Sequence, residues 1–511
     1  MQSIIDLSPP PPCPEPFNLT AHVLAKAEND PDKIALAILG LSGAERWSYG
    51  KLNRTVLGLA GALAEMNLPS GARILMRLGN SVEFPLAFLA AIAAGYVPIP
   101  TSSQLTTREI NKISEEVQPS LIFAGEGIAL PDPLPCPSLS EAELHEMGTH
   151  APISPVMGPA DRPAYIIFTS GTSGQARGVI HAHRAVWARQ MMMQGWYGLT
   201  PQDRLLHAGA FNWTFTLGTG LLDPWTMGAT ALIPADGTTP DQLPLLLKRH
   251  DASIFAAAPG VYRQMLKRPL PALPKIRHGL AAGEKLAPTI RETWEKATGT
   301  RIHEAFGMSE CSTFISGSPK HPSPDGSLGF AQPGRKLAIL NEAGEITPQG
   351  DPGVIAVDAK DPGLMLGYLN APQDTEARYS PDKNWFLTGD MGEMSSDGAI
   401  SYLGRDDDML NAGGFRVSPL EIETALLIHP EIDEAAAVEL RVRKDASIIA
   451  LFYTSDMPLS EENLAEFASN QLARYKTPRL FLHKASLPRS ANGKLQRKTL
   501  RAEYEAQNDP V

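Results

Sequence analysis

Apolar runs alternate with helix-like patterns over the first four hundred residues of the chain. Continuous apolar strands separated by helices are typical of parallel sheets that are covered on both faces. The pattern therefore predicts an α/β fold whose large N-terminal domain contains parallel-type sheets wrapped by helices. Five runs serve as the clearest predicted strands: Ala72–Met76, Ser120–Ala124, Ala164–Phe168, Ala229–Ile233 and Ser253–Ala256.

The pattern changes further along the chain. Short strands bounded by Gly, Pro and Asp, at Gly353–Val357 and Ala399–Leu403, predict a smaller β-rich subdomain. Glycine and charge interrupt the pattern at Gly404–Asp408, so we predict one domain over residues 1–404 and a second over residues 405–511. The second domain is predicted to be a small α+β unit. Its elements are predicted at Pro419–Leu427, Ala435–Val442, Ile448–Tyr453 and Ser460–Leu472.

The most apolar stretch of the chain, Phe84–Pro100, contains three prolines and one glycine. It is shorter than the roughly 20 apolar residues that a membrane span needs. A buried helix over Pro85–Ala94 followed by a strand is predicted instead. Met1–Asp6 lacks the basic region of a secretory signal.

Composition narrows the class of protein further. The 511 residues contain 45 Lys and Arg against 56 Asp and Glu, a formal net charge of −11. This balance argues against a nucleic-acid partner, because phosphate backbones are bound by concentrated Lys and Arg. Three cysteines without metal-like spacing indicate a reducing compartment, so we expect a cytoplasmic location.

A hydroxyl-rich loop punctuated by glycine follows the strand that ends at Phe168. It runs from Thr169 to Gly174 and is followed by Arg177 and Gly178. Glycines let backbone N–H groups approach an anion, and hydroxyls donate further hydrogen bonds, so the loop suits a polyphosphate. It lacks the Gly-Lys-Ser/Thr ending of a Walker loop. A flexible surface loop is the alternative from composition alone.

Thr169-Ser-Gly-Thr-Ser-Gly174 resembles the signature of the adenylate-forming superfamily, which includes acyl-CoA synthetases, adenylation domains of peptide synthetases and firefly-type luciferases. Several ordered motifs along nearly the whole chain make this resemblance more specific than any one of them. The further motifs are Ala282–Leu286, Glu304–Glu310, Thr388–Asp390, Gly404–Asp408, Gly413–Glu421 and Ser490–Arg497. Arg177 stands where the family usually has Lys, and it keeps the charge. Phe306 and Ser309 stand where Tyr and Thr are commoner.

The resemblance implies a two-step reaction. A carboxylate attacks the α-phosphorus of ATP, pyrophosphate leaves, and a thiol then attacks the acyl-adenylate. Such a site needs cations and hydrogen-bond donors more than a general base. We therefore expect Lys494 to bridge the reacting oxygens, Arg177 to bind phosphate and Glu310 to hold Mg²⁺.

The resemblance also implies nucleotide-binding residues and a hinge between the domains. Asp390 is expected to accept the ribose hydroxyls with Arg405 nearby, and Asp407 is expected to be the pivot. The full set of expected nucleotide-binding residues is Thr169, Ser170, Gly171, Thr172, Ser173, Gly174, Gly283, Glu284, Ala305, Phe306, Gly307, Met308, Ser309, Asp390 and Arg405.

The acyl pocket is expected between His207 and Gly220, where aromatic residues stand among small ones. Core packing is an equally good interpretation for Phe211 and Phe215 individually. Amino-acid-activating relatives have Asp where this chain has Asn212, so an apolar or aromatic carboxylic acid is favoured over an α-amino acid. The expected substrate-binding residues are His207, Phe211, Trp213, Gly283 and Met308.

The thiol acceptor is less constrained by the sequence. The chain stops soon after Lys494, which favours a free-standing ligase that uses coenzyme A. An adenylation enzyme that loads a separate carrier protein and a nonenzymatic nucleotide-binding scaffold remain alternatives. The sequence does not decide whether the protein is a monomer or a homodimer. The expected CoA-binding residues are Gly413, Gly414, Phe415, Arg474 and Lys476.

Overall fold

The computed structural model describes residues 1–169, 177–405, 410–412, 415–443, 446–474, 476–489 and 495–507. By their contacts the residues group into two compact units. The larger unit comprises Ile5–Lys336 and Val357–Phe386, and the smaller one comprises Met1–Ile4, Leu337–Ala356 and Leu387–Val511. This grouping differs from a division at residue 404, because residues of the β-rich region are grouped with the C-terminal residues. The boundary at residue 404 stays a prediction.

A nine-stranded sheet forms the centre of the larger unit. In spatial order its strands are Phe330–Ala331, Ser312–Ser316, Ile302–Met308, His278–Ala282, Ile254–Ala257, Arg204–Ala208, Thr230–Pro234, Ile34–Leu39 and Ala44–Ser48. The six strands from Ile302–Met308 to Ile34–Leu39 are parallel to their neighbours, and the flanking pairs are antiparallel. The predicted α/β class with parallel sheets is confirmed.

Two smaller sheets complete the strands of the larger unit. Four parallel strands are Val97–Pro100, Arg73–Arg77, Leu121–Ala124 and Ser138–Ser140. Three antiparallel strands are Gly367–Tyr368, Arg177–Ala182 and Pro163–Thr169. The strand predicted at Ala164–Phe168 is thus present but antiparallel to its partner, because the seven residues 170–176 between the two strands are too few for a parallel crossover.

Helices cover these sheets. They are Leu19–Val23, Tyr49–Glu65, Glu83–Ala93, Thr107–Val117, Glu141–Met147, Arg184–Ala188, Gln190–Met192, Asp223–Met227, Leu243–Arg249, Pro259–Met265, Pro288–Thr298 and Pro372–Glu376, with a 3₁₀ turn at Ala25–Glu28 and π-helical turns at Met193–Tyr197 and Thr216–Leu222. Thr107–Val117 begins with a capping box formed by Thr106 and Glu109.

The predicted buried helix is confirmed as Glu83–Ala93, whose residues from Phe84 onward are all buried. The strand Val97–Pro100 follows it. Within the described part of the chain, no helix combines the length and the apolarity that crossing a membrane requires.

Residues of the smaller unit take part in three sheets. The first has the strands Ile4–Asp6, Lys336–Leu340, Gly353–Asp358, Trp385–Met394 and Ile400–Arg405. The second pairs Leu410–Ala412 with Phe415–Val417, and the third has Glu434–Arg443, Ala446–Thr454 and Leu480–His483. The helices are Pro419–Leu426, Glu461–Gln471 and Arg497–Gln507. These elements confirm the predicted α+β content of the C-terminal residues.

Candidate active site

The predicted phosphate loop joins two neighbouring antiparallel strands of the larger unit. One strand ends at Thr169, the next begins at Arg177, and these two residues are paired across the strands. Residues 170–176 lie outside the described residues, and they include the predicted Ser170, Gly171, Thr172, Ser173 and Gly174. The structure therefore brings Thr169 and Arg177 together at the base of the loop.

Tyr368 connects the predicted phosphate cation with the predicted magnesium ligand. The strand Gly367–Tyr368 pairs with Arg177–Ala182, and the Arg177 guanidinium carbon lies 5.4 Å from the Tyr368 ring centroid. The Tyr368 hydroxyl donates a hydrogen bond of 2.7 Å to Glu310 Oε1. Sequence reasoning missed Tyr368, because no motif that we recognised includes it.

The electrostatics of this cluster suit a nucleotide. Arg177 Nη2 lies 3.0 Å from Asp374 Oδ2, and both side chains are more than one third exposed, so the pair contributes little net stability. The Arg177 guanidinium can therefore release the Asp374 carboxylate and bind a phosphate in its place. Burial and the neighbouring Glu310 charge raise the pKa of Tyr368, which keeps it a hydrogen-bond donor.

Glu310 has the chemistry of a magnesium ligand. Its Oε1 accepts from Tyr368, and its backbone carbonyl accepts from the Met365 amide at 2.7 Å. The carboxylate is thus held in place while keeping acceptor capacity. Mg²⁺ binds through one or two carboxylates together with water and substrate phosphates, so the residues present fit this ion.

The predicted adenine turn begins where the strand His278–Ala282 ends. Gly283 has φ +96°, and a Cβ atom there would lie 2.8 Å from Trp213 Cζ2. The Trp213 indole therefore packs directly against the backbone of Gly283, and a side chain at position 283 would displace it. Glu284 follows in the same turn and is half-buried.

The neighbouring parallel strand carries the other predicted adenosine residues. Ala305, Phe306, Gly307 and Met308 are the last four residues of Ile302–Met308, and Ser309 follows them. Ala305 is paired with Ala282 of the adjacent strand. The two motifs thus meet at the carboxyl ends of parallel strands, where ligands bind in α/β sheets.

A small cavity of about 20 Å³ lies between Ser309 and the predicted acyl segment. Thr214, Leu217 and Gly218 line it from the acyl segment, and Leu222 lines it from just beyond that segment. Most of these residues belong to the π-helical turn Thr216–Leu222. Such wide helical turns are frequent at functional sites, because they move side chains out of the regular helical register.

Two residues predicted at the acyl pocket are buried and lie outside the lining of this cavity. Phe211 is 1% exposed, and its ring centroid lies 5.2 Å from that of Phe84. His207 is fully buried with its ring 4.4 Å from Phe215, and burial lowers the pKa of His207 to about 3. Neither residue lines the cavity. For Phe211 the structure thus favours the core-packing alternative.

The predicted ribose pair belongs to the smaller unit. Asp390 and Arg405 are paired on adjacent antiparallel strands, and Arg405 Nη1 lies 3.5 Å from Asp390 Oδ2. The Tyr402 hydroxyl donates to Asp390 Oδ1 at 3.1 Å, and the Thr388 hydroxyl accepts from the Asp390 amide. These contacts hold a buried carboxylate in a defined orientation, as an acceptor for two hydroxyls requires.

Comparison with family models identifies the arrangement. A model described as AMP-binding enzyme matches residues 23–369, and one described as AMP-binding enzyme C-terminal domain matches residues 421–494. The chain belongs to the AMP-binding enzyme family.

Individual AMP-binding enzymes are similar over nearly their whole length. A 3-hydroxybenzoate–CoA ligase of Aromatoleum sp. is 28% identical, with 91% of this chain and 92% of that protein covered. The ATP-bound crystal structure of MatB from Rhodopseudomonas palustris is 25% identical with a TM-score of 0.88, covering 96% of this chain and 99% of that chain. A benzoate CoA ligase structure from Burkholderia xenovorans is 27% identical with a TM-score of 0.85, covering 95% and 100%.

These similarities establish the class of reaction. The protein is an AMP-forming acid–CoA ligase that activates its acid by adenylate formation, with ATP and CoA as substrates. The predicted membership of the adenylate-forming superfamily is confirmed.

Several predicted residues of this AMP-binding enzyme lie outside the described residues: Lys494, Asp407, Gly413 and Gly414. The segment that contains Lys494 is bracketed by a backbone bridge between Arg489 and Leu495. Phe415 begins the strand Phe415–Val417. Of the predicted CoA-binding cations, Arg474 is exposed, and Lys476 Nζ lies 2.6 Å from Glu421 Oε1.

Glu304 has a positioning role that sequence reasoning missed. It is buried, its Oε1 accepts from the Leu286 amide at 3.1 Å, and its Oε2 accepts from Arg291 at 3.2 Å. Glu304 thereby ties the strand Ile302–Met308 to the adenine turn. Burial raises the pKa of Glu304 to about 7, although the Leu286 amide and Arg291 oppose the shift.

The raised pKa makes stability depend on pH in a defined direction. Between about pH 4.5 and 7 the native state binds a proton at Glu304 that the unfolded state has lost, so the free energy of unfolding falls as pH rises. We expect Glu304→Gln to remove this contribution, which is at most about 3 kcal/mol across the window. Urea unfolding at pH 5, 6, 7 and 8 measures it. Glu292→Gln, at an exposed site on the helix that carries Arg291, is the control, and identical pH slopes for all three proteins would contradict the assignment.

Proposed function

We propose that the protein converts an apolar or aromatic carboxylic acid, ATP and CoA to acyl-CoA, AMP and pyrophosphate. The observation that carries this proposal is the cavity between the acyl segment and Ser309, because it adjoins the end of the strand that bears the adenosine motif. The cavity of about 20 Å³ has room for one small group, and its apolar lining, with Leu217 and Leu222, suits an apolar part of an organic acid. The similarity to hydroxybenzoate and benzoate CoA ligases supports the same substrate class.

The roles of the charged groups follow from the charge that develops in the reaction. Arg177 binds the phosphates, and Glu310, held by Tyr368, binds Mg²⁺. When held by Glu310, Mg²⁺ would supply positive charge that neutralises phosphate oxygens. Lys494 stabilises the negative charge that accumulates between the acid carboxylate and the α-phosphate. Asp390 and Arg405 bind the ribose, and the turn at Gly283 and Glu284 lies against the adenine.

A screen of carboxylic acids tests the proposal. Aromatic, straight-chain, dicarboxylic and α-amino acids are each incubated with ATP, Mg²⁺ and CoA, while AMP, pyrophosphate and acyl-CoA are measured. We expect CoA-dependent AMP formation, fastest with an aromatic or apolar acid. Pyrophosphate exchange without acyl-CoA, restored by a carrier protein, would identify a carrier-loading enzyme. ADP formation, or no turnover with any acid, would contradict the proposal.

Trp213 is the residue that we expect to limit the size of the acid. Its ring packs on Gly283 and lies edge-on to Phe215, with ring centroids 5.2 Å apart. Trp213 does not line the cavity itself but directly precedes the lining residue Thr214, so Trp213→Ala should open space beside Gly283 and shift preference toward longer or bulkier acids. The preference for the best original substrate over other acids, expressed as a free energy from the ratio of their kcat/KM values, should fall by about 1–3 kcal/mol. This is the value expected for one misfitted methylene.

A purely structural Trp213 predicts a different outcome. The melting temperature would fall, as for other large-to-small core changes, while the ranking of acids stayed the same. Trp294→Phe is a matched control, because Trp294 is fully buried between Phe255 and Tyr262. Kinetics over an acid series and a melting curve for each variant separate the two roles.

A further inference from the structure

The cavity next to the acyl segment has a polar side that the proposed reaction does not use. Tyr165, His181, Arg189 and Ser312 line this side. Tyr165 and His181 are stacked, with ring centroids 4.7 Å apart and planes at 17°. All four residues come from the larger unit, so the cavity is complete within it.

Arg189 is held at the cavity by a buried ion pair. Its Nε and Nη2 donate to the two carboxylate oxygens of Asp223, each at 2.7 Å, and Nη2 also donates to the Tyr197 hydroxyl. Nη1 donates to Ser312 Oγ at 2.6 Å. Gly218 makes room for the guanidinium, since a Cβ atom there would lie 2.2 Å from Arg189 Cζ. The Arg189 guanidinium is therefore fixed in orientation.

Several hydrogen-bond donors and acceptors of the side chains around this cavity have no partner among the described residues. Arg189 has five N–H donors, and the bonds above occupy four of them. One ring nitrogen of His181 faces the backbone of Ser309, and the other has no hydrogen-bond partner among the described residues. The Tyr165 hydroxyl also has no hydrogen-bond partner among the described residues. Buried polar groups are normally satisfied, so this combination calls for a polar occupant.

The charges decide which polar occupant fits. Arg189 and Asp223 neutralise each other, and burial lowers the pKa of His181 to about 4, so its imidazole is neutral at pH 7. Burial raises the pKa of Tyr165 to about 12. The lining is thus neutral overall. A second carboxylate would be buried there without a counter-charge, which is strongly unfavourable, whereas an uncharged hydroxyl carries no such penalty.

We propose that this polar side, formed by Tyr165, His181, Arg189 and Ser312, is a subsite for an uncharged hydroxyl substituent of the acid. The proposal rests on the proposed function and makes it more specific. A hydroxyl both donates and accepts. It accepts from Arg189 or Tyr165 and donates to an unprotonated nitrogen of His181. The same groups lose these partners when the acid lacks the hydroxyl.

The test compares benzoic acid, its three monohydroxylated isomers and a ring dicarboxylic acid as substrates with ATP, Mg²⁺ and CoA. We expect at least one hydroxylated isomer to exceed benzoic acid by about tenfold or more in kcat/KM. The dicarboxylic acid should be the poorest substrate. Tyr165→Phe keeps the stacked ring and removes only the oxygen. It should lower the ratio of kcat/KM for the preferred isomer over benzoic acid by about 3- to 10-fold.

Tyr262→Phe is the matched control. The Tyr262 hydroxyl donates to the backbone carbonyl of Phe255 at 2.8 Å and is also close to that of Leu280. Its loss should lower the melting temperature and leave the substrate ratio unchanged. Tyr165→Phe should show the opposite pattern, because no protein partner loses a hydrogen bond.

The outcomes separate this subsite from the proposed function. If acids are converted with AMP release but hydroxylation gives no advantage, the cavity holds only water and the subsite is wrong, while the proposed function stands. An unchanged ratio in Tyr165→Phe, or a preference for the dicarboxylic acid, also overturns the subsite alone. Absence of AMP formation with every acid overturns both.

Discussion

Lys494→Ala is expected to lower the rate of acyl-adenylate formation by about 10²- to 10³-fold. A preorganised cation that faces developing negative charge contributes this much, because it stabilises the transition state more than the ground state. The thiol step, started from supplied acyl-adenylate, should stay largely intact, since charge no longer accumulates between carboxylate and phosphate. Pyrophosphate exchange and thioester formation measure the two steps separately.

The control for this variant is Lys498→Ala. Lys498 is an exposed cation on the helix Arg497–Gln507, outside the lysine motif, so both steps should remain near the wild-type rate. The backbone bridge between Arg489 and Leu495 does not involve the Lys494 side chain, so it should persist in the Lys494→Ala protein. Equal losses in both half-reactions would contradict a role specific to adenylate formation.

Asp361→Ala is expected to have the largest effect on stability, a loss of about 3–5 kcal/mol. Arg335 and Asp361 form a fully buried ion pair, and the same guanidinium donates to the Thr313 carbonyl. The Asp361 carboxylate also accepts from the Gly363 amide. Removing the carboxylate leaves a buried cation without compensation, and chemical denaturation measures the result.

The double variant Arg335→Met/Asp361→Leu distinguishes the uncompensated charge from lost packing. Replacing a buried ion pair by apolar residues of similar size is often neutral. The double variant should therefore recover most of the stability that the single variant loses. If it is as unstable as Asp361→Ala, the loss comes from packing or backbone contacts.

Activity of Asp361→Ala should fall together with its stability. Arg335 and Asp361 support the segment that follows Glu310, and Gly363 lines the cavity. Displacement of this segment would disturb the hydrogen bond that the Met365 amide donates to the Glu310 carbonyl. The ion pair thus links the core of the larger unit to the proposed magnesium ligand.

The elements of the fold were largely predictable, because a buried strand or helix needs a continuous apolar run wherever it lies in the tertiary structure. The helix Glu83–Ala93 and the strand Arg73–Arg77 are examples. Strand direction was not predictable in the same way. The strand Pro163–Thr169 is antiparallel to Arg177–Ala182, and its apolar content is the same in either direction.

Motifs for the site could be proposed from the sequence for a related reason. The segments proposed for phosphate, ribose and adenine are short and have local backbone requirements, such as the positive φ of Gly283. The acyl pocket was less predictable. Phe211 and Thr214 lie in one short segment, yet the first packs in the core and the second lines the cavity. A π-helical turn changes the register there, and composition does not reveal such a turn.

The sequence by itself determined the class of protein and the order of its elements, and it located the segments proposed to bind the nucleotide, because each of these depends on residues close together in the chain. Only the tertiary structure decided which distant residues meet. It placed Tyr368 between Arg177 and Glu310, and it paired Arg189 with Asp223 beside the cavity. Hydrogen bonds and ion pairs act over a few ångströms, so partners that are far apart in the chain become visible only once the sheets and helices bring them together.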